Sequence, residues 1–106
     1  MVNLELKIKE MEQKQKLAVK VGSDFVLDLP SNPTTGYKWE PEYDKTLLDL
    51  LGTTYKSVLD RMGSGGRQLF RFVARRKGQA VIRMLYKRPW DKKSVREAVY
   101  TVAIRD

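Results

Sequence analysis

Three short loop motifs contain the residues whose types and spacing suggest a function. That function is binding to a partner. The motifs lie in segments 31–37, 60–67 and 87–93. Their candidate binding residues are Asn32, Pro33, Thr34, Thr35, Gly36, Met62, Gly63, Ser64, Gly65, Gly66, Arg88, Pro89 and Trp90. Proline and glycine set the shape of such loops, and the polar and aromatic side chains are presented on them.

The composition argues against a catalytic centre. The 106 residues include no cysteine and no histidine, and no pair of carboxylates with a suitable spacing stands out for general acid–base work. Imidazole and thiolate are also the usual ligands of structural and catalytic zinc. We therefore expect a protein that is not an enzyme and that uses no cofactor and no metal.

The first loop has the residues of a rigid turn. Pro33 fixes its own φ near −65° and favours an extended conformation at Asn32. Gly36 can adopt backbone conformations that other residues reach only at a cost. Thr34 and Thr35 lie between these anchors, and we expect their two hydroxyls to face outward. The alternative is an ordinary turn between two strands, since Asn, Pro and Gly are common in turns.

The second loop, 62–66, is rich in glycine and contains no phosphate-binding fingerprint, because no Gly-Lys-Ser/Thr follows and no helix begins after it. It is either a flexible hairpin tip or an extended segment that pairs with the groove of a partner, with Met62 as an adaptable apolar plug. In the third loop Trp90 stands among charged residues, and it is either folded back onto the core or exposed as an anchor.

Apolar residues alternate with polar ones along most of the chain, a pattern that predicts β-strands. The rows are Leu4, Leu6 and Ile8; Leu17, Val19 and Val21; Phe25, Leu27 and Leu29; 69–74; 81–86; and Tyr100, Val102 and Ile104. With shorter strands at 37–39 and 52–58, the chain has about seven to eight. We therefore predict an all-β, immunoglobulin-like antiparallel β-sandwich that forms one domain over residues 1–106, with Trp39 buried.

Several boundaries follow from polar and turn-forming residues. We expect a connection over 10–16, a strand end at Pro41, a turn over 77–79 and a charged loop over 87–97, whereas 47–51 could be a helical turn or a strand. In a sandwich of this type the connections alternate between its two ends, so the three loop motifs fall at the same end. They would then form one composite binding edge.

The net charge of +8 allows two alternatives to a merely soluble basic surface, namely an acidic protein partner or a nucleic acid. The densest basic cluster, Arg75, Arg76 and Lys77, precedes a predicted turn. No transmembrane stretch is present, and the N-terminus lacks a signal-peptide core. We expect a monomer that binds neither a nucleic acid nor a membrane and is cytoplasmic, or secreted or periplasmic if a leader precedes this sequence.

The three motifs together resemble those of the chagasin-type inhibitors of papain-family cysteine peptidases. The resemblance rests on Asn-Pro-Thr-Thr-Gly-Tyr-x-Trp at 32–39, Gly-x-Gly-Gly at 63–66 and Arg-Pro-Trp at 88–90, in the order of the family. It implies a reversible, tight-binding competitive inhibitor that occludes the cleft of a papain-family cysteine protease without offering a scissile bond. The basic surface would then act mainly on the association rate with proteases that have acidic rims.

The resemblance also implies a role for each loop. Thr34 and Thr35 would enter the centre of the protease cleft near the catalytic cysteine and histidine. The glycine-rich loop would follow the non-primed side, with Met62 near the apolar specificity pocket. Trp90 would lie on the primed side against an aromatic residue of the enzyme, in a loop whose shape is set by Arg88 and Pro89.

Overall fold

The computed structural model describes residues 14–32, 35–57 and 65–106, which form seven β-strands. The strands are β1 (Lys14–Lys20), β2 (Asp24–Ser31), β3 (Lys38–Tyr43), β4 (Leu48–Ser57), β5 (Gly66–Ala74), β6 (Gly78–Lys87) and β7 (Arg96–Arg105). None of the described segments contains a helix long and apolar enough to cross a membrane.

The strands are arranged in two sheets. One has the order β1-β7-β6-β3 and the other the order β2-β5-β4. All neighbouring strands are antiparallel except β1, which runs parallel to β7 and so extends an otherwise antiparallel sheet. The predicted all-β, immunoglobulin-like sandwich is confirmed.

The core lies between the two sheets. Its buried residues are Leu27, Leu29, Trp39, Leu48, Phe70, Phe72, Ala74, Ala80, Ile82, Met84, Ala98, Tyr100, Val102 and Ile104. Successive side chains of a strand point to opposite faces, so the alternating rows of the sequence become the two facing layers. The predicted burial of Trp39 is confirmed, since only 3% of its surface is exposed.

The prediction that Pro41 ends its strand is wrong, because β3 continues through Pro41 to Tyr43. Among the described strands, β3 lies at the edge of the four-stranded sheet and pairs with β6 alone. A proline is tolerated on an edge strand because its missing N–H need not take part in the ladder. The rule that proline stops a strand applies to central strands and fails here.

Other boundaries also differ from expectation. The connection predicted over 10–16 is wrong from residue 14 onward, where β1 begins. Lysine and glutamine favour loops by composition, but here they form a strand because β7 provides a ladder of hydrogen-bonding partners. The predicted N-terminal row of Leu4, Leu6 and Ile8 lies outside the described residues.

The ambiguous segment 47–51 proves to be the start of β4, which begins at Leu48. The predicted turn over 77–79 is wrong in its placement, because Gly78 is already the first residue of β6 and pairs with β7. The charged loop predicted over 87–97 is shorter than expected and covers 88–95. In each case cross-strand pairing extends a strand beyond its apolar pattern.

Three connections meet at one end of the sandwich, which we call the rim. The rim consists of residues 32–37 between β2 and β3, 58–65 between β4 and β5, and 88–95 between β6 and β7. In one sheet Gly66 pairs with both Ser31 and Ser57, and in the other Lys38 pairs with Lys87. These registers place all three connections at the same end, as the sequence predicted.

The opposite end, which we call the far end, carries the connections 21–23, 44–47 and 75–77. Its turns are closed by their own residues. Asp44 accepts hydrogen bonds from the N–H of Thr46 at 2.8 Å and from its hydroxyl at 2.5 Å, and these bonds hold the pKa of the Asp44 carboxyl below its usual value. Gly22 has a φ of +88° and no atom that a Cβ would meet.

Candidate functional site

The first rim loop is closed by its own threonine. Thr35 donates its N–H to the carbonyl of Asn32 at 3.2 Å and its hydroxyl to the same carbonyl at 2.7 Å. The N–H of Tyr37 donates to the Thr35 Oγ1 at 3.4 Å. Gly36 has a φ of +82°, a conformation that favours glycine. The expectation of an outward hydroxyl is therefore wrong for Thr35, whose hydroxyl stabilises the turn, although its side chain is exposed.

Pro33 and Thr34, the other predicted residues of this loop, lie outside the described residues. Their neighbours nevertheless define the width of the turn, since Asn32 and Thr35 are joined by two hydrogen bonds.

The root of the first loop is held by the core. The indole of Trp39 donates to the carbonyl of Pro30 at 2.8 Å. The side chain of Gln68, on β5 of the other sheet, accepts from the N–H of Trp39 at 3.1 Å and donates to its carbonyl at 3.2 Å. Asn32 donates its N–H to the hydroxyl of Tyr86 on β6 at 3.3 Å. Hydrogen bonds between the sheets therefore fix the direction in which the loop leaves the sandwich.

In the third rim loop the guanidinium of an arginine contacts three neighbouring side chains. The guanidinium of Arg88 makes two hydrogen bonds to the carboxylate of Asp91, from Nε at 2.8 Å and from Nη2 at 3.3 Å. It also lies over the ring of Tyr37, 5.2 Å from the centroid, and over the ring of Trp90, 5.4 Å from the centroid. Both distances are within the range of cation–π attraction.

The same contacts shape the electrostatics of this loop. The hydrogen bond from Arg88 is the main cause that holds the pKa of the Asp91 carboxyl below its usual value, with a smaller contribution from Lys87. Trp90 itself is 71% exposed, so it is not folded back onto the core, and its role as a binding anchor stays a prediction. Pro89 is exposed as well.

Of the second rim loop the structure describes only the last part, since Met62, Gly63 and Ser64 lie outside the described residues. Gly65 has a φ of +75°, and a Cβ there would approach the Ser31 carbonyl to 2.9 Å. The glycine therefore allows the second loop to contact the first loop closely.

Gly66, the next residue, is buried at the start of β5. A Cβ at this position would lie 2.1 Å from the carbonyl of Lys56 and 2.6 Å from the hydroxyl of Tyr55. No rotation of a side chain could relieve the contact with the backbone. Gly66 thus fixes the close pairing of β4 with β5 just below the rim.

The structure brings the described parts of the three loops together. Gly65 contacts the backbone beside Asn32, and Arg88 connects the third loop to Tyr37 of the first. Sequence reasoning missed the residues that make these links or support them. They are Tyr37 as a partner of Arg88, Gln68, Tyr86 and Asp91. Only Asp91 had a sequence signal, because it stands three positions after Arg88 in a short loop.

The cations of the sheets and those of the rim differ in their partners. On the strands, Arg67 faces Asp28 at 2.7 Å and Arg83 faces Glu97 at 2.7 Å. Among the described residues no carboxylate pairs with the rim lysines Lys92 and Lys93 or with the adjacent Lys38. The described rim is therefore more positive than its single paired carboxylate can balance.

Nothing in the described part of the rim is arranged for covalent chemistry. The chain has no histidine or cysteine, and no group of acidic residues among the described ones could hold a metal ion. What the rim offers is a rigid edge with an exposed indole, a closed turn and unpaired cations. Such a surface can bind a protein by shape and charge.

Comparison with known proteins gives consistent matches. The model of the chagasin family peptidase inhibitors, I42, matches residues 18–104. Amoebiasin-2 from Entamoeba histolytica is 30% identical over 101 residues, which cover 91% of this chain and 82% of that protein.

Solved structures agree with that match. The crystal structure of the cysteine protease inhibitor EhICP2 from Entamoeba histolytica superposes with a TM-score of 0.79 at 26% identity, over 92% of this chain and 91% of that one. PbICP-C, solved in complex with falcipain-2, superposes with a TM-score of 0.57 at 18% identity, over 88% of this chain and 87% of that one. The last likeness concerns the fold alone.

Proposed function

The chain belongs to the chagasin family of peptidase inhibitors, and from this membership we propose that its rim occludes the active-site cleft of papain-family cysteine proteases. EhICP2 is a cysteine protease inhibitor, and PbICP-C was solved in complex with falcipain-2. The inhibition would be reversible and competitive, with residues 1–106 acting as one inhibitor domain and without catalysis by the inhibitor.

One observation carries the proposal, namely the convergence of three loops on one rim with links between them. A wedge of this kind can fill a concave cleft, and an inhibitor interface of standard size buries about 800 Å² on each partner. The hydrogen bond of Thr35 and the contacts of Arg88 exist before binding, so these described parts of the first and third loops need little ordering at the interface. Such pre-organisation lowers the entropic cost of association.

Each loop has a proposed position in the cleft. The first loop, with Thr34 and Thr35, would lie at the centre near the catalytic cysteine. Because the Thr35 hydroxyl closes the turn, its methyl group and the backbone of the turn would face the enzyme. Thr34 would contribute the hydroxyl that contacts the enzyme.

The two outer loops would extend the contact to both sides. The second loop, with Met62, Gly63, Ser64 and Gly65, would follow the non-primed side, while the buried Gly66 would act by shaping its root. The third loop would place Trp90 on the primed side. Its 71% exposure makes the indole available to an aromatic residue of the enzyme, and exposed tryptophans are frequent hot spots of interfaces.

The alternative of a nucleic-acid partner gains no support from the structure. The densest basic cluster, residues 75–77, lies at the far end, and its Arg75 is paired with Asp49. A phosphate backbone would need a continuous row of available cations.

The proposal is tested by inhibition assays against a panel of papain-family proteases with the intact chain. We expect nanomolar to micromolar inhibition that an excess of substrate relieves. Trp90→Ala and Thr34→Ala are each expected to raise the inhibition constant at least about tenfold, as for hot-spot residues, with an unchanged melting temperature.

A matched control is Val81→Ala, which truncates an apolar side chain that is 45% exposed on β6 away from the rim. It should leave the inhibition constant unchanged. Absence of inhibition at micromolar concentration across the whole panel would refute the proposed function.

A further inference from the structure

The guanidinium of Arg88 is held within the rim by three neighbouring side chains. It makes two hydrogen bonds to Asp91 and lies over the rings of Tyr37 and Trp90. The side chain of Arg88 is 40% exposed and that of Asp91 only 21%. The bidentate carboxylate uses two of the five N–H donors and sets the orientation of the guanidinium plane relative to the two rings.

The backbone of the third loop is fixed in the same region. The N–H of Asp91 donates to the carbonyl of Arg88 at 3.0 Å, and the N–H of Val95 donates to the carbonyl of Tyr86 at 2.8 Å. The turn that carries Trp90 is therefore closed on both sides. Within that turn the guanidinium of Arg88 lies over the ring of Trp90.

The link also crosses from one loop to another. Tyr37 belongs to the first loop and stacks on Tyr86 of β6 with ring centroids 5.5 Å apart. Arg88 approaches Gly36 as well, since a Cβ at that glycine would lie 3.9 Å from its Cγ. The guanidinium thus connects the exposed indole to a stack of aromatic rings that continues into the core through Trp39.

We propose that Asp91 is a positioning residue for inhibition: its carboxylate holds the Arg88 guanidinium between Tyr37 and Trp90, and so fixes the indole in the orientation in which it meets the protease. This inference rests on the proposed function, because it takes Trp90 as a contact residue. It assigns Asp91 no contact of its own with the enzyme. Without the carboxylate, Arg88 is free to leave the rings, and the indole loses its support.

The first experiment compares Asp91→Asn with the natural chain. The substitution keeps the size of the side chain and removes the charge that attracts Arg88. We expect the inhibition constant against a sensitive papain-family protease to rise about fivefold, as for the loss of a well-placed exposed ion pair. The melting temperature should change little, because the pair lies on the surface. Asp91→Glu, which restores the charge, should recover part of the loss.

A matched control is Asp24→Asn, which removes the same charge from an arginine pair at the far end, where Asp24 accepts from Arg71 Nε at 2.9 Å. It should leave the inhibition constant within about twofold of the natural value, as expected for distant independent sites. An equal effect of both substitutions would mean that net charge, rather than positioning, causes the loss, and would overturn the inference.

A double-mutant cycle distinguishes positioning from direct contact. In a Trp90→Ala background, Asp91→Asn should change the inhibition constant by less than about twofold, because there is no indole left to orient. If the two losses instead multiply, Asp91 acts independently of Trp90 and the inference is wrong. If Trp90→Ala weakens inhibition and Asp91→Asn does not, the inference fails while the proposed function stands. If neither substitution has an effect, the inference fails together with the proposed role of Trp90, whereas only the absence of inhibition by the natural chain refutes the proposed function.

A readout without protease completes the test. The chain has two tryptophans, of which Trp39 is buried and Trp90 is exposed. Time-resolved fluorescence anisotropy at the red edge of emission, where an exposed indole dominates, should show faster local motion in Asp91→Asn and unchanged motion in Asp24→Asn. Unchanged motion in both variants would contradict the proposed support of the indole.

Discussion

At the scale of single residues, the two tryptophans of the chain have opposite environments. Trp39 lies on β3, where alternation turns its side chain toward the other sheet, and 3% of its surface is exposed. Trp90 lies in a loop, and 71% of its surface is exposed. The first environment follows from strand periodicity and could be predicted. The second could not be predicted in this way, because Trp90 lies in a loop, where the sequence has no periodic signal.

The buried indole predicts a large loss of stability on truncation. Trp39→Ala removes packing against Tyr86, whose ring centroid is 4.8 Å away, and leaves the carbonyl of Pro30 without its donor. We expect the free energy of unfolding to fall by about 3–5 kcal/mol, measured by urea denaturation.

The comparison for that prediction is Trp90→Ala, which should change the free energy of unfolding by less than about 0.5 kcal/mol, as for a surface substitution. Equal losses in the two variants would show that the division between a core indole and a rim indole is wrong.

The paired carboxylate of Asp91 predicts a particular pH dependence. Its pKa is lowered from the ordinary 3.8, chiefly by the hydrogen bond from Arg88 and to a lesser degree by the charges of Arg88 and Lys87. A carboxyl whose folded pKa is depressed stabilises the folded loop above its ordinary pKa and loses that effect as pH falls through the folded value. We therefore expect the anisotropy of Trp90 to be constant from neutral pH down to about 4.

Only below that range should the indole gain mobility, as the carboxyl takes up a proton. Asp91→Asn has no such carboxyl and should show no acid transition in the same measurement. A transition near neutral pH in the natural chain would contradict the assignment.

At the scale of elements, the β4–β5 hairpin depends on glycines with different roles. Gly66 is crossed so closely by β4 that a Cβ would lie 2.1 Å from the Lys56 carbonyl. Gly52, on β4 itself, lies at a shift in the register between β4 and β5, and a Cβ there would meet no atom within 4 Å. The sequence shows glycines at both places, yet only the packing of the strands reveals which one requires the absence of a side chain.

The hairpin therefore predicts a matched pair of substitutions. Gly66→Ala should force β4 and β5 apart beside the rim and lower the free energy of unfolding by about 1–3 kcal/mol, as for overpacking of a well-packed site. Gly52→Ala should change it by less than about 1 kcal/mol. Both values can be measured by urea denaturation.

The inhibition constants of the same two variants add a second comparison. Because Gly66 shapes the root of the second loop, Gly66→Ala should weaken inhibition even at temperatures where the variant is fully folded. If Gly52→Ala had the larger effect on either quantity, the account of this hairpin would be wrong.

At the scale of the whole molecule, the positive charges differ in whether a carboxylate pairs with them. Three arginines of the sheets, Arg67, Arg71 and Arg83, lie beside carboxylates, and Arg83 contacts both Glu97 at 2.7 Å and Glu42 at 3.3 Å. On the described part of the rim, Lys92 and Lys93 have no such partner. Charges at an interface act mainly on the rate of association, so the rim lysines should favour proteases with acidic residues around the cleft.

A pair of charge reversals tests this. Lys92→Glu combined with Lys93→Glu should lower the association rate with an acidic protease about tenfold at low salt, with little change in the dissociation rate. The difference should shrink as salt is added. Lys45→Glu combined with Arg76→Glu changes the net charge equally at the far end and should have a much smaller effect. Equal effects would mean that only net charge matters.

The sequence predicted the sandwich, its core rows and the common end of the three loops, because each depends on local periodicity and on the alternation of connections. It did not predict the extent of β3 past Pro41 or the start of β1 at Lys14. Those boundaries are decided by which strand lies next to them. The contact of Arg88 with Tyr37 across the rim could not be predicted for the same reason, because the two residues are far apart in the chain.

The separation of the two ends has a practical consequence. The far-end connections at 21–23, 44–47 and 75–77 are closed by backbone hydrogen bonds made at that end of the sandwich, opposite the described part of the rim. An engineered cysteine at such a turn, in a chain that has none of its own, would accept a single dye or a surface linker. The inhibitor could then be immobilised with its rim facing solution, as an affinity reagent for capturing active proteases.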